Sequence, residues 1–179
     1  MQKKRQRMDI QLRSRIKKIT TLIFDVDGVF TDATLIVGES DVQRVFNVRD
    51  GYAVQIAARM GYRLAVITGG KQESIKKRLT GLGVKDVFYG VGTDKKLEVF
   101  DKYLADNNLT EDEILYMGDD LPDYEIFTQR NVLSTCPADA VNEIKQVSKY
   151  ISPINGGRGA VRDVIAMIMK AQKKWMVVF

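Results

Sequence analysis

A chain of 179 residues, 45% hydrophobic and 28% charged, is long enough for one domain with its own core, and its composition excludes collagen, low-complexity disorder and a disulfide scaffold. With no histidine and a single cysteine, it has no Ser-His-Asp or Cys-His chemistry, no His-ligated zinc and no internal disulfide, and a reducing cytoplasm is its simplest home. The net charge of +5 is concentrated at one end: residues 1–18 carry a balance of +7 and the rest of the chain −2, so nucleic acid is not the expected partner.

No apolar run reaches 18 residues, and the start lacks the apolar stretch of a secretion signal, so no membrane partner is expected. The expected organisation is a basic, solvated, partly helical arm over 1–18 and a single domain over 19–179. Thr20 to Asp25 reads as a short buried strand. Ala33–Val37 and Val42–Val48 are β-rich around Gly38-Glu39-Ser40-Asp41, a hairpin signal. Asp50 is placed to cap a helix over Gly51–Met60. A strand over Tyr62–Thr68, a helix over Lys71–Leu79 and a strand over Asp86–Tyr89 follow. Asp94–Asn107 repeats apolar residues at helical spacing. Ile114–Met117 is a fourth strand, and Pro122 suits the first turn of the next helix. Val132–Ser134 and Tyr150–Ile151 are short strands with a helix between them, and Gly159–Lys173 is a last helix. This alternation predicts an α/β fold, a Rossmann-like doubly wound parallel sheet with an inserted hairpin and no separate cap domain.

Ligands in such sheets bind beyond the carboxyl ends of the strands, and four polar groups sit there. Asp25 and Asp27, two apart at a strand end, point the same way and repel unless a cation or proton lies between them. By itself Asp25-Val26-Asp27-Gly28 fits a turn as well as a site; an EF-hand fails at Val29, Phe30 and Ile36. Gly118-Asp119-Asp120-Leu121-Pro122-Asp123 reads either as a helix start or as part of a hard-cation site. Thr68-Gly69-Gly70-Lys71 offers a hydroxyl and open amides to a phosphate. Lys95 and Lys96 open a helix where cations are disfavoured, so Lys96 reads as facing an anion.

The ordered set DxDG, Thr, Lys and GDDxxD resembles the haloacid dehalogenase superfamily. Phe46-Asn47-Val48-Arg49-Asp50-Gly51 and Gly156-Gly157-Arg158-Gly159-Ala160-Val161-Arg162 resemble signatures of 3-deoxy-D-manno-octulosonate 8-phosphate phosphatases. The resemblance runs from Ile19 to Lys173. It implies a Mg²⁺-dependent phosphatase, in lipopolysaccharide precursor biosynthesis, with Asp25 as nucleophile and Asp27 as general acid and base. It implies Mg²⁺ on Asp25, the Asp27 carbonyl and Asp119, and phosphoryl contacts from Thr68 and Lys96. Asp120 and Asp123 support the cluster. Asn47, Val48, Arg49, Asp50, Gly51, Gly70, Arg78 and Arg158 are the candidates for the sugar acid. The chain departs from the pattern at Gly70, where these phosphatases often carry arginine; a substrate carboxylate or phosphate contact is then either missing or supplied by Lys71 or Arg78. A nine-carbon keto sugar acid 9-phosphate is the alternative substrate, and a non-catalytic oligomerisation or regulatory domain the alternative class. A response-regulator receiver would place an acid at the third strand, which here ends Phe88-Tyr89-Gly90.

Only about 20 residues separate Gly28 from Asp50, room for a hairpin and no cap domain. A lone hairpin exposes its edges. Pairing of the Ala33–Val48 hairpins into a shared barrel, and hence a homotetramer, is therefore expected, as the resemblance also implies. The apolar end, Trp175-Met176-Val177-Val178-Phe179, is expected to pack on the body or reach a neighbour's cleft.

Overall fold

In the computed structural model, which describes residues 12–39 and 41–177, β1 (Thr21–Phe24) is buried along its whole length. It is followed by a hairpin of two-residue strands, β2 (Ile36–Val37) and β3 (Val42–Gln43), and by helix α1 (Val48–Arg59). Then come β4 (Arg63–Ile67), α2 (Glu73–Thr80), β5 (Asp86–Phe88), α3 (Lys96–Asp106) and β6 (Ile114–Met117). A 3₁₀ turn at Leu121–Asp123 leads into α4 (Tyr124–Gln129). β7 (Leu133–Cys136), α5 (Asn142–Val147), β8 (Tyr150–Ile151) and α6 (Ala160–Ala171) complete the fold.

The main sheet has the order β5-β4-β1-β6-β7-β8, and every pair in it is parallel. Alternation along the strands divides the core. Leu22, Phe24, Leu64, Val66, Leu115 and Met117 face α1, α2 and α6. Ile23, Ala65, Ile67, Ile114 and Tyr116 face α3, α4 and α5. The winding reverses at β1, so the ends of β1, β4 and β6 open onto one crevice.

Three expectations change. The hairpin strands are shorter than their β-rich stretches, because among the described residues β2 and β3 pair only with each other. Asp50 does not cap α1; Asn47 does, its side chain accepting from the Arg49 N–H at 2.8 Å. The helix therefore starts at Val48, and Asp50 lies in its first turn. The arm is not merely solvated where it is described: Ile16 is buried, Leu12 packs on the core, and Arg15 and Lys18 pair with Asp112; residues 1–11 lie outside the described residues. Trp175 packs on the core under the Arg162 guanidinium, while Met176 and Val177 are exposed. Val178 and Phe179 lie outside the described residues.

Candidate active site

Asp25 follows β1 directly and is held in register by its N–H, which donates to the Met117 carbonyl of β6. Its carboxylate accepts from the Val26 N–H at 2.6 Å and from Lys96 Nζ at 2.6 Å. Lys96, the first residue of α3, is buried and also donates to Asp123 Oδ1 at 2.8 Å. That oxygen takes a second bond from the Tyr116 hydroxyl, and Asp123 Oδ2 accepts from the Asp119 N–H. A buried chain Asp25–Lys96–Asp123–Tyr116 thus links β1, α3, the 3₁₀ turn and β6. Burial pulls the Lys96 ammonium down, but Asp123 and Asp25 more than offset this and raise it. Burial raises the Asp25 carboxyl, against the pull of Lys96. Lys95, by contrast, is solvated and pairs with Glu98.

Asp119 lies just beyond β6, against the first loop. A Cβ on Gly28 would fall 1.9 Å from Asp119 Oδ2, and Gly28 has φ +78°, so glycine is required there twice over. Asp119 Oδ1 is buried with no hydrogen-bond partner among the described residues. Carboxylate oxygens of Asp25, Asp119 and Asp123 lie within 4.8 Å of one another. Burial, then Asp25 and Asp123, push the Asp119 carboxyl up to about 8. Crowded hard oxygens and an orphaned carboxylate oxygen fit a hard cation such as Mg²⁺. Asp123 already serves three protein donors, so it orients the cluster, leaving Asp25 and Asp119 to offer oxygens.

Thr68 follows β4, the neighbour of β1, and is buried with its hydroxyl accepting from the Gly70 N–H. Asp27 has a different partner. Arg44, from the hairpin, grips it with Nε at 2.6 Å from Oδ1 and Nη2 at 2.9 Å from Oδ2, and donates from Nη1 to Gln72 Oε1. Asp120 is exposed and caps the 3₁₀ turn through the Leu121 N–H, outside the acidic cluster.

The sugar-acid candidates divide. Asn47 donates to the Gly157 carbonyl, and Asp50 Oδ1 accepts from the Arg162 N–H, so the two signature segments are clipped together. Asp50 is fully buried against the start of α6. A Cβ on Gly156 would fall 1.8 Å from the Gly28 carbonyl, so the second signature presses on the DxDG loop. Arg158 pairs with Asp32. Val48 and Arg49 are exposed. Gly51 makes room for Arg78, whose Nη2 lies 2.8 Å from where a Cβ would be. Gly70 lies against Ile75 and Arg44. Sequence reading misses Arg44, Gln72 and Tyr116, because an arginine in a hairpin and a tyrosine in a buried strand carry no motif.

A family model for haloacid dehalogenase-like hydrolases matches residues 42–134. The 3-deoxy-D-manno-octulosonate 8-phosphate phosphatase of Yersinia pestis is 35% identical over 161 residues, 89% of this chain and 84% of that protein. The Escherichia coli K12 enzyme is 34% identical over 90% of this chain and 85% of its own length. The crystal structure of the Yersinia pestis enzyme superposes with a TM-score of 0.85, covering 90% of this chain and 86% of that one. The Moraxella catarrhalis enzyme, solved in complex with a magnesium ion, a phosphate ion and a KDO molecule, gives 0.86 at 29% identity, over 92% and 94% of the two chains.

Proposed function

Since the chain belongs to the 3-deoxy-D-manno-octulosonate 8-phosphate phosphatases among the haloacid dehalogenase-like hydrolases, and is thereby a phosphatase, we propose that it hydrolyses 3-deoxy-D-manno-octulosonate 8-phosphate to the free sugar acid and phosphate, in the cytoplasm and on the way to lipopolysaccharide. The observation that carries this reading is the buried Asp25–Lys96–Asp123 chain beside the orphaned oxygen of Asp119, all at the switch point of the sheet.

In the proposed reaction an Asp25 carboxylate oxygen attacks phosphorus, and the bond to the sugar oxygen breaks. Asp27 gives its proton to that leaving oxygen. In the second half Asp27 takes a proton from water, and the water oxygen attacks the aspartyl-phosphate. The bond to Asp25 breaks, and its carboxylate is regenerated. Thr68 and Lys96 hold the phosphoryl oxygens as charge develops, and Asp123 and Tyr116 fix where the Lys96 ammonium points. Asp25, the Asp27 carbonyl and Asp119 would hold Mg²⁺, which when bound lets an anionic carboxylate approach an anionic phosphate. The test is kcat/KM with Mg²⁺ across sugar phosphates. The octulosonate 8-phosphate should rank above a nine-carbon keto sugar acid 9-phosphate and above glucose 6-phosphate, and the reverse order would reassign the substrate.

EDTA should silence the enzyme and Mg²⁺ restore it, with Ca²⁺ binding but supporting little turnover. Metal binding should also depend on pH. The Asp119 carboxyl, held up to about 8, must lose its proton to bind a cation, so apparent Mg²⁺ affinity should rise with pH toward 8, by about tenfold per unit where one proton is displaced. The linked stability has the opposite sign. A folded-state value above the unfolded one stabilises at low pH, so metal-free protein should melt lower at pH 8.5 than at pH 6, and Mg²⁺ should reverse this. Calorimetric titration and melting in EDTA check both. Activity in a metal-free preparation would overturn the metal assignment.

A homotetramer is part of the same proposal. Leu35, Ile36, Val37, Val45 and Val48 are exposed on and beside the hairpin, Val37 to 73%. Such a patch is costly in water and suits a neighbouring hairpin. Light scattering at micromolar concentration should give four copies, and Val37→Asp should yield smaller species. A fully active monomer would refute the shared barrel.

A further inference from the structure

We propose that Arg44 and Arg78 together receive the substrate's carboxylate, in a cleft between the hairpin and α2. The proposal deepens the reading of the site as a keto sugar acid phosphatase and rests on it. The cleft has a volume of about 340 Å³ and is lined by Val42, Arg44, Phe46, Val48, Ser74, Ile75 and Arg78. Two guanidinium groups line it and no carboxylate does. Arg78 forms no ion pair among the described residues, and Asp27 alone pairs with Arg44. With Arg44 set against Asp27 and near Asp25, it is Arg78, free of any ion pair among the described residues, that puts a positive charge beside apolar walls, where an anion is held more strongly than in water.

Arg44 is also placed to join this cleft to the phosphate end. Its side chain is only 6% exposed. Three of its N–H groups are spent on Asp27 and Gln72, out of the five that a guanidinium offers. Nη2 and Cζ lie 3.1 and 3.5 Å from where a Cβ on Gly70 would be, so the guanidinium fills the space a side chain there would enter, on the loop that follows Thr68. One edge of the fork holds Asp27, and two N–H groups remain for a second anion. Two carboxylates sharing one guanidinium repel, and Arg78 supplies the charge that lets both stay. Lys71, the cation next in sequence to Gly70, is exposed.

The test compares the octulosonate 8-phosphate with its carboxyl methyl ester, which differ in that one charge. The wild-type enzyme should prefer the acid, and Arg44→Gln and Arg78→Gln should each cut the acid-to-ester ratio of kcat/KM on the order of tenfold. The double variant Arg44→Gln with Gly70→Arg returns a guanidinium to the vacated space and should recover part of the ratio, which repairing a purely structural defect would not do. An unchanged ratio in both single variants overturns the proposal. If neither compound is turned over but a nine-carbon keto acid phosphate is, the substrate reading fails instead; the same ratio, measured on that acid and its ester, then decides the role of the arginines.

Discussion

Replacing Asp25 with asparagine should lower kcat by about 10⁴-fold or more while leaving the protein folded. The amide keeps the shape of the carboxylate and an oxygen that accepts from the Val26 N–H or Lys96, but it cannot form the acyl-phosphate bond. The fold should tolerate the change because two effects oppose one another. Burial already disfavours the charged carboxylate, so neutralising it relieves a desolvation cost, while the ion pair with Lys96 is lost. Lys96 keeps Asp123 as its partner. Rapid-quench experiments should trap a phosphoenzyme in the wild type and none in the variant, with melting temperatures close together. Turnover by Asp25→Asn near the wild-type rate would sink the covalent mechanism.

Lys96→Met should damage both activity and stability. The methionine fills a similar volume but leaves Asp25 and Asp123 buried without their cation. Removing one partner of a buried ion pair costs about 3–5 kcal/mol, mostly as the penalty of the uncompensated charge. The Tyr116 hydroxyl still serves Asp123 and reduces the loss. Catalytically, loss of a preorganised donor to the phosphoryl oxygens should cost on the order of 10²–10³-fold in kcat. The stability defect should depend on pH. Lys96 holds the Asp25 carboxyl down against burial, so without it the folded-state value rises further above the unfolded one. Such a group stabilises when protonated, and that contribution is lost as pH rises through its folded value. Denaturation of the variant should therefore show a larger defect at pH 8 than at pH 5.5. Equal stability of variant and wild type at both values would show that Lys96 does not neutralise this pair.

The chain's fold was legible wherever periodicity met burial. β6 and β8 have the expected residues, and the other main-sheet strands and the helices differ at their ends: strands buried between two helix layers are continuous apolar runs that show in the sequence, while pairing sets where they stop. The hairpin forms where expected but with shorter strands, and α1 starts at a different cap from the expected one. A β-rich stretch forms a ladder only where a partner strand is supplied, and a helix starts at whichever cap the backbone satisfies first, here Asn47. The local motifs DxDG, Thr-Gly-Gly and GDDxxD determined which residues lie at strand ends, since each follows an apolar run directly, and the lysine pair marked the start of a helix. Which of them meet was decided by tertiary structure. Lys96 lies 71 residues from Asp25 and 27 from Asp123, and no local pattern records that one ammonium joins them. Arg44 reaches Asp27 because the hairpin folds back over the first loop, and it fills the space beside Gly70 because that glycine leaves it open. Spacing determines what a segment presents along its own strand or helix; the winding of the sheet at β1 determines which segments share a crevice, because it brings together ends that are remote in the chain.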